Sequence, residues 1–187
     1  MMSTVPAFAD VASDSGSQQI LITGKVIDAP CSIATSTPIS VDLGQVSDKQ
    51  LNASGQSDAK KFTITLTGCT FGVPSQPIPD GHTGNNSKVA VEFTGAMAPA
   101  VAEGELNKGY MATVPGPDAA QHVSIQLLKS DGVNGVDLSG TELTIKDAVG
   151  LHTGENNLDF FARMVALKKN AVAGAVAATL TYKLHYF

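Results

Sequence analysis

From position 176 onward, apolar and polar residues take turns along the chain. Val176, Ala178, Leu180, Tyr182, Leu184 and Tyr186 hold the even positions, with Thr179, Thr181, Lys183 and His185 among the odd ones. A period of two sustained over this length describes a half-buried strand, because a helix would turn Tyr182 away from Leu180 and Leu184. The same alternation recurs upstream. Phe62, Ile64 and Leu66 oppose Thr63, Thr65 and Thr67; Val89, Val91 and Phe93 share one face of 88–94; Val123, Ile125 and Leu127 repeat it before the turn Ser130-Asp131-Gly132. Further strands are expected at 18–28, which stops before Ala29-Pro30, at 38–43 and at 143–145. The apolar stretch 158–167 is long enough for a helix, and the alternating C-terminus tips it toward strand. Segments 72–87 and 96–121 are rich in Gly, Pro and Asn and read as surface loops. Short strands with turn signals between them predict an all-β antiparallel sandwich.

Composition narrows the function classes. The chain has 187 residues, the length of one domain, and 43% of them are hydrophobic, enough for a core. Aromatics are only 5% and there is no Trp, so that core must be mostly Val, Ile, Leu and Ala. A net charge of −5 with scattered Lys and Arg argues against a nucleic-acid partner, which needs a basic stripe to neutralise phosphates. The longest apolar run, 171–180, is half of the roughly 20 residues a membrane helix needs, so no membrane span is expected.

The start of the chain carries a processing signal. Residues 1–9 end in Ala7-Phe8-Ala9, which fits the small-residue cleavage site of an export signal, although the basic and longer apolar regions of a full signal are missing. A signal-peptide remnant cleaved after Ala9 is expected, with a plain Ala-rich terminus as the alternative. In an oxidising compartment Cys31 and Cys69 would pair, closing a loop that chain entropy values at roughly 4 kcal/mol. Two unpaired core thiols are the other reading. A metal site is not expected, since two Cys without C-x-x-C spacing and no His at ligand spacing supply at most half a zinc shell.

Candidate chemistry is otherwise sparse. His82, His122, His152 and His185 stand singly, and no G-x-S-x-G, H-E-x-x-H or P-loop pattern occurs. Asn52-Ala53-Ser54 and Asn85-Asn86-Ser87 fit the short glycosylation pattern, which is common by chance. No catalytic residue, cofactor or enzymatic activity is assigned.

The ends of the chain carry a family resemblance. Gly24-Lys25-Val26-Ile27-Asp28-Ala29-Pro30-Cys31-Ser32-Ile33 resembles the start of pilins assembled by the bacterial chaperone–usher pathway, as does Asp42-Leu43-Gly44-Gln45-Val46. Cys69, in Leu66-Thr67-Gly68-Cys69, sits where those pilins place their second cysteine. Gly154-Glu155-Asn156-Asn157-Leu158-Asp159-Phe160 is similar to their approach to the penultimate strand. Gly174 is fourteenth from the C-terminus and Tyr186 is penultimate, as in the family. The motifs run in the family's order from Ile20 to Phe187.

The resemblance implies an incomplete immunoglobulin-like sandwich that lacks its last strand. Such a subunit is completed by a strand from a periplasmic chaperone and then by the N-terminal extension of the next subunit. Head-to-tail addition of this kind does not close, so it builds a filament. Three units are then expected: the signal remnant at 1–9, a donor extension at 10–19 and a pilin domain at 20–187. Gly174, Val176, Ala178, Leu180, Tyr182, Leu184, Tyr186 and Phe187 would form the acceptor groove and the chaperone-binding strand. The donor would present Ala12, Asp14, Gly16, Gln18, Ile20 and Ile22 to a neighbour's groove, in preference to the odd set. It departs from the family pattern, in which a Gly is flanked by apolar plugs: alignment on Cys31 places Gln18 near that Gly. The implied partners are neighbouring copies in a homopolymer, the periplasmic chaperone and the outer-membrane usher. The implied destination is the cell-surface fimbria, reached through the periplasm, in support of adhesion. A minor adaptor or terminating subunit of the same pilus is the alternative within the family. A self-contained secreted immunoglobulin-like domain, binding through loop 72–87, is the alternative outside it.

Overall fold

The computed structural model of the chain describes residues 29–34, 38–71, 86–94, 108–139 and 142–187. Its longest ladder comes from two strongly alternating segments, β2 (Lys60–Cys69) and β7 (Gly154–Ala166), which pair antiparallel with Phe62 opposite Phe160 and Ile64 opposite Leu158. β5 (Val123–Leu128) lies on the other side of β7, with Ile125 opposite Met164. Short strands β1 (Ser32–Ile33) and β4 (Tyr110–Met111) complete a sheet of order β1-β2-β7-β5-β4. The second sheet has the order β6-β3-β8, from β3 (Lys88–Thr94), β6 (Val149–Gly150) and β8 (Thr181–Tyr186).

The two sheets face each other across one apolar layer. Ile64, Leu66, Leu127 and Leu158 from the first sheet pack with Val89 and Phe93 from the second. Phe93 meets Phe160 edge-on at 5.0 Å between ring centroids, and Phe62 stacks on Phe160 at 5.7 Å, so an aromatic trio spans the layer. The polar members of β5 are also buried and each is satisfied. Ser124 donates to the Met111 carbonyl at 2.7 Å, and Gln126 donates to the Lys108 carbonyl at 2.9 Å while accepting from Arg163 Nε. Cys31 and Cys69 form a disulfide that ties the start of β1 to the end of β2, with Cα atoms 4.1 Å apart.

The stretch 158–167 is strand as far as Ala166, as expected, and it pairs on both edges. Other sequence expectations change. Residues 143–145 do not form a strand: Thr144 caps a single 3-10 turn, Ile145–Asp147, and Asp147 returns a bond to the Thr144 backbone. Residues 38–43 keep the alternating burial of a strand but join no ladder among the described residues. One α-helix was not expected, α1 (Asp48–Ser54). Ser47 caps it by accepting from the Gln50 amide at 3.1 Å, and Gly55 ends it at a φ of 83°, which a side chain would resist. The expected strand at 18–28, the signal remnant, the donor extension and most of loop 72–87 lie outside the described residues.

Candidate functional site

Beside α1 the sandwich is open. A groove of about 1060 Å³ runs between two extended stretches, 38–46 and 171–182. Its floor is the apolar layer itself, including Phe62, Phe93, Ile125, Leu127, Ala162 and Met164. The walls repeat the period of two. Ile39, Val41 and Leu43 are half-buried on one side while Pro38, Ser40, Asp42 and Gly44 are exposed. On the other side Val176, Ala178, Leu180 and Tyr182 are half-buried while Ala177, Thr179 and Thr181 are exposed. The predicted even face of the C-terminal segment therefore points toward the core, yet none of its members reaches full burial.

That segment is not one strand from Val176 to Tyr186. The ladder with β3 begins at Thr181, which pairs with Thr94, and continues through Tyr182 opposite Phe93, Leu184 opposite Val91 and Tyr186 opposite Val89. Phe187 extends it, exchanging both backbone hydrogen bonds with Lys88 at 2.9 and 3.1 Å. Upstream the chain changes allegiance. Val172 pairs with Gln121, Ala175 bridges Ala119, and Ala177 accepts from the Val114 amide at 2.8 Å. Val176, Ala178 and Leu180 thus fall where the segment passes from its bonds with 114–121 to the ladder with β3. Among the described residues, no backbone hydrogen bond joins 178–180, or 38–46 opposite, to another segment. These two stretches, 38–46 and 178–180, without backbone partners among the described residues, face each other over an apolar floor and make a slot with the chemistry of a missing strand.

Gly174 has a specific task at the slot's rim. A Cβ placed there would collide with the backbone of Ala119 and Ala120, so only Gly lets the rim lie against 118–121. At the other end of the segment, burial pushes the half-buried Tyr186 phenol above its ordinary pKa. His185 Nε2 lies 2.6 Å from Glu92 Oε2 across β8 and β3.

Helix α1 borders the groove, with Asp48 and Leu51 in its lining. Leu51, buried, packs with Val123, Met164, Ala166 and Ala171. Asn52 beside it accepts from the Ala171 amide at 2.7 Å and donates to the Ala171 carbonyl at 3.0 Å. Sequence reasoning saw Asn52 only as part of a chance glycosylation pattern, a use its engaged carboxamide opposes. The signal for the helix was present in Ser47-Asp48-Lys49-Gln50 and Gly55, a cap and a stop. The clamp to Ala171, 119 positions away, had no local signal.

The remaining candidates do not converge. His122 contacts the Asn170 carbonyl at 3.0 Å and His152 the Thr153 carbonyl at 3.2 Å. Among the described residues, no three metal-ligating side chains gather and no helix is long and apolar enough to cross a membrane. The donor candidates Ala12, Asp14, Gly16, Gln18, Ile20 and Ile22, and also His82, lie outside the described residues.

Comparison with known proteins agrees with this geometry. The chain is 30% identical to the major MR/P fimbria protein of Proteus mirabilis, over 98% of this chain and 91% of that protein. It is 32% identical to the fimbrial-like protein YgiL of Escherichia coli, over 95% of this chain and 89% of that one. Among solved structures it superposes on a subunit of a chaperone–usher pilus whose rod uncoils, with a TM-score of 0.65, 25% identity and full coverage of both chains. It also superposes on the P pilus rod subunit PapA, with a TM-score of 0.63 and 28% identity over 85% of this chain and all of that one. These neighbours are immunoglobulin-like pilin subunits, and the family is structural, extracellular and non-enzymatic. The fimbrial protein family model matches residues 20–186, and the chain belongs to that family, as a pilin of the chaperone–usher type.

Proposed function

We propose that this chain is a shaft subunit of a fimbria that polymerises head to tail by donor-strand exchange. The groove between 38–46 and 171–182 is the acceptor, and segment 10–22 of a neighbouring copy is the donor. One observation carries the reading: two facing, alternating edges, without backbone partners among the described residues, over an apolar floor. A strand entering there gains backbone hydrogen bonds along its length and buries its alternate side chains on Phe62, Phe93 and Leu127. Val176, Ala178, Leu180 and Tyr182 supply the apolar side of one wall, and Gly174 seats it. Leu184, Tyr186 and Phe187 hold β8 on β3, so the wall has a fixed base.

An open groove of this kind is an aggregation hazard in a lone subunit. A periplasmic chaperone that fills the slot until an outer-membrane usher replaces it removes that hazard. It also gives the export route and the disulfide a common compartment. The rod-subunit and major-fimbria relatives favour the shaft over an adaptor or terminator, and the finished filament would support adhesion at the cell surface.

Deleting residues 10–19 separates donor from acceptor. The expected product folds with its disulfide intact, captures a synthetic peptide of sequence 10–22, and forms no filaments by electron microscopy. A truncated chain that still forms filaments overturns the assignment of the donor.

A further inference from the structure

Helix α1 joins the two groove walls. Its cap, Ser47, directly follows the wall 38–46, and its Asn52 side chain holds Ala171, where the opposite wall begins. The carboxamide satisfies both the N–H and the C=O of Ala171, so it pairs with that residue as a neighbouring strand would. Leu51, buried one residue earlier, anchors the same helix to Val123, Met164 and Ala171 beneath it. The bond is therefore not a surface decoration. It fastens one wall to the other at one end of the slot, between residues that local sequence leaves independent.

We infer that Asn52 is a positioning residue for strand capture: it closes the α1 end of the groove and so limits the length and register of the strand the groove accepts. This rests on the acceptor reading above. A strand that runs past the groove on that side meets α1 and must break the Asn52–Ala171 pair to enter. One that stops short does not. Register is otherwise weakly defined in a slot with alternating apolar walls, because a slip of two residues keeps the same face inward. A closed end removes that freedom.

The test uses the full chain, freshly diluted to nanomolar monomer, with fluorescent synthetic peptides of sequence 10–22. One is unextended, and two others carry three additional polar residues at one end or the other. With Asn52 intact, one of the two extensions slows capture about tenfold, the effect of displacing a pair of hydrogen bonds. In Asn52→Ala that penalty disappears. Asn52→Asp, which keeps the acceptor for the Ala171 amide and loses the donor, gives an intermediate penalty and remains informative if the alanine variant folds poorly. Equal capture of all three peptides by the wild type overturns the inference and leaves the acceptor reading standing. So does an undiminished penalty in both variants. Capture of no peptide by the wild type overturns the acceptor reading itself.

Discussion

Gly174 shows how one missing methyl group sets the groove. The backbone of Ala119–Ala120 occupies the space a Cβ would need, so Gly174→Ala must push the rim away from 118–121. Overpacking of this kind costs typically 1–3 kcal/mol, and contact with backbone places it at about 3. Urea denaturation of the variant should show a lower midpoint at unchanged slope, the slope times the shift giving that free energy, and an unshifted midpoint would contradict the close approach. Asp159 gives a second prediction. The Lys61 ammonium, 2.8 Å away, and then the Thr63 hydroxyl hold its carboxylate below the ordinary carboxylate range. A depressed folded-state pKa stabilises above the unfolded value of 3.8, and the contribution is lost as pH falls through the folded value. Both partners are partly exposed, so the effect is below about 1 kcal/mol and is weakened by salt. Asp159→Asn should therefore cost a few tenths of a kcal/mol at neutral pH and progressively less as the pH falls below 3.8, measured by urea denaturation at each pH. A larger cost in acid would reverse the sign. Gly174 was legible in the sequence only by its place relative to the end of the chain. Its physical reason, the approach of Ala119–Ala120, belongs to a contact 54 or more positions distant (174 − 120).

At the scale of elements, alternation was a sound guide to which face a residue presents and a poor guide to which residues pair. Phe62, Ile64 and Leu66 in β2, and Val89 and Phe93 in β3, turn inward as the period of two requires. Residues 38–43 and 176–180 show the same period and, among the described residues, join no ladder, because side-chain alternation reports a half-apolar setting while a ladder also needs a neighbour. That difference is the groove. Helix α1 escaped because its apolar content is essentially Leu51, too little for a helical period in seven residues, although its cap and stop were on view. Cys31–Cys69 was the long-range contact the sequence did declare. It links β1 to β2 across a separation of 38 residues, so its loss releases the short edge strand and the loop between them. Replacing both cysteines by Ala should cost about 2–5 kcal/mol, read as the shift in urea midpoint against the oxidised protein. An oxidised protein no more stable than the double variant would show that the bridge fixes nothing the ladder had not already fixed.

For the whole molecule, one domain and a complete fold are different things. The hydrophobic content supports a two-sheet core, and part of that core forms the floor of an open slot. Family membership makes the molecule a pilus subunit. In the proposed assembly a strand from another copy would cover Phe62, Phe93 and Leu127 and pair the two edges left without partners among the described residues, a physical reason for such a subunit to assemble. Such an interface combines main-chain pairing with core burial, so it should resist detergent far better than a surface contact. The most direct measurement is electrophoresis of the purified full-length chain in SDS, with and without boiling. The account predicts a ladder of bands at multiples of the 19.2 kDa chain in the unboiled sample that collapses to one band on boiling. A single monomer band in both lanes, from a chain that is folded and stable alone, would contradict it.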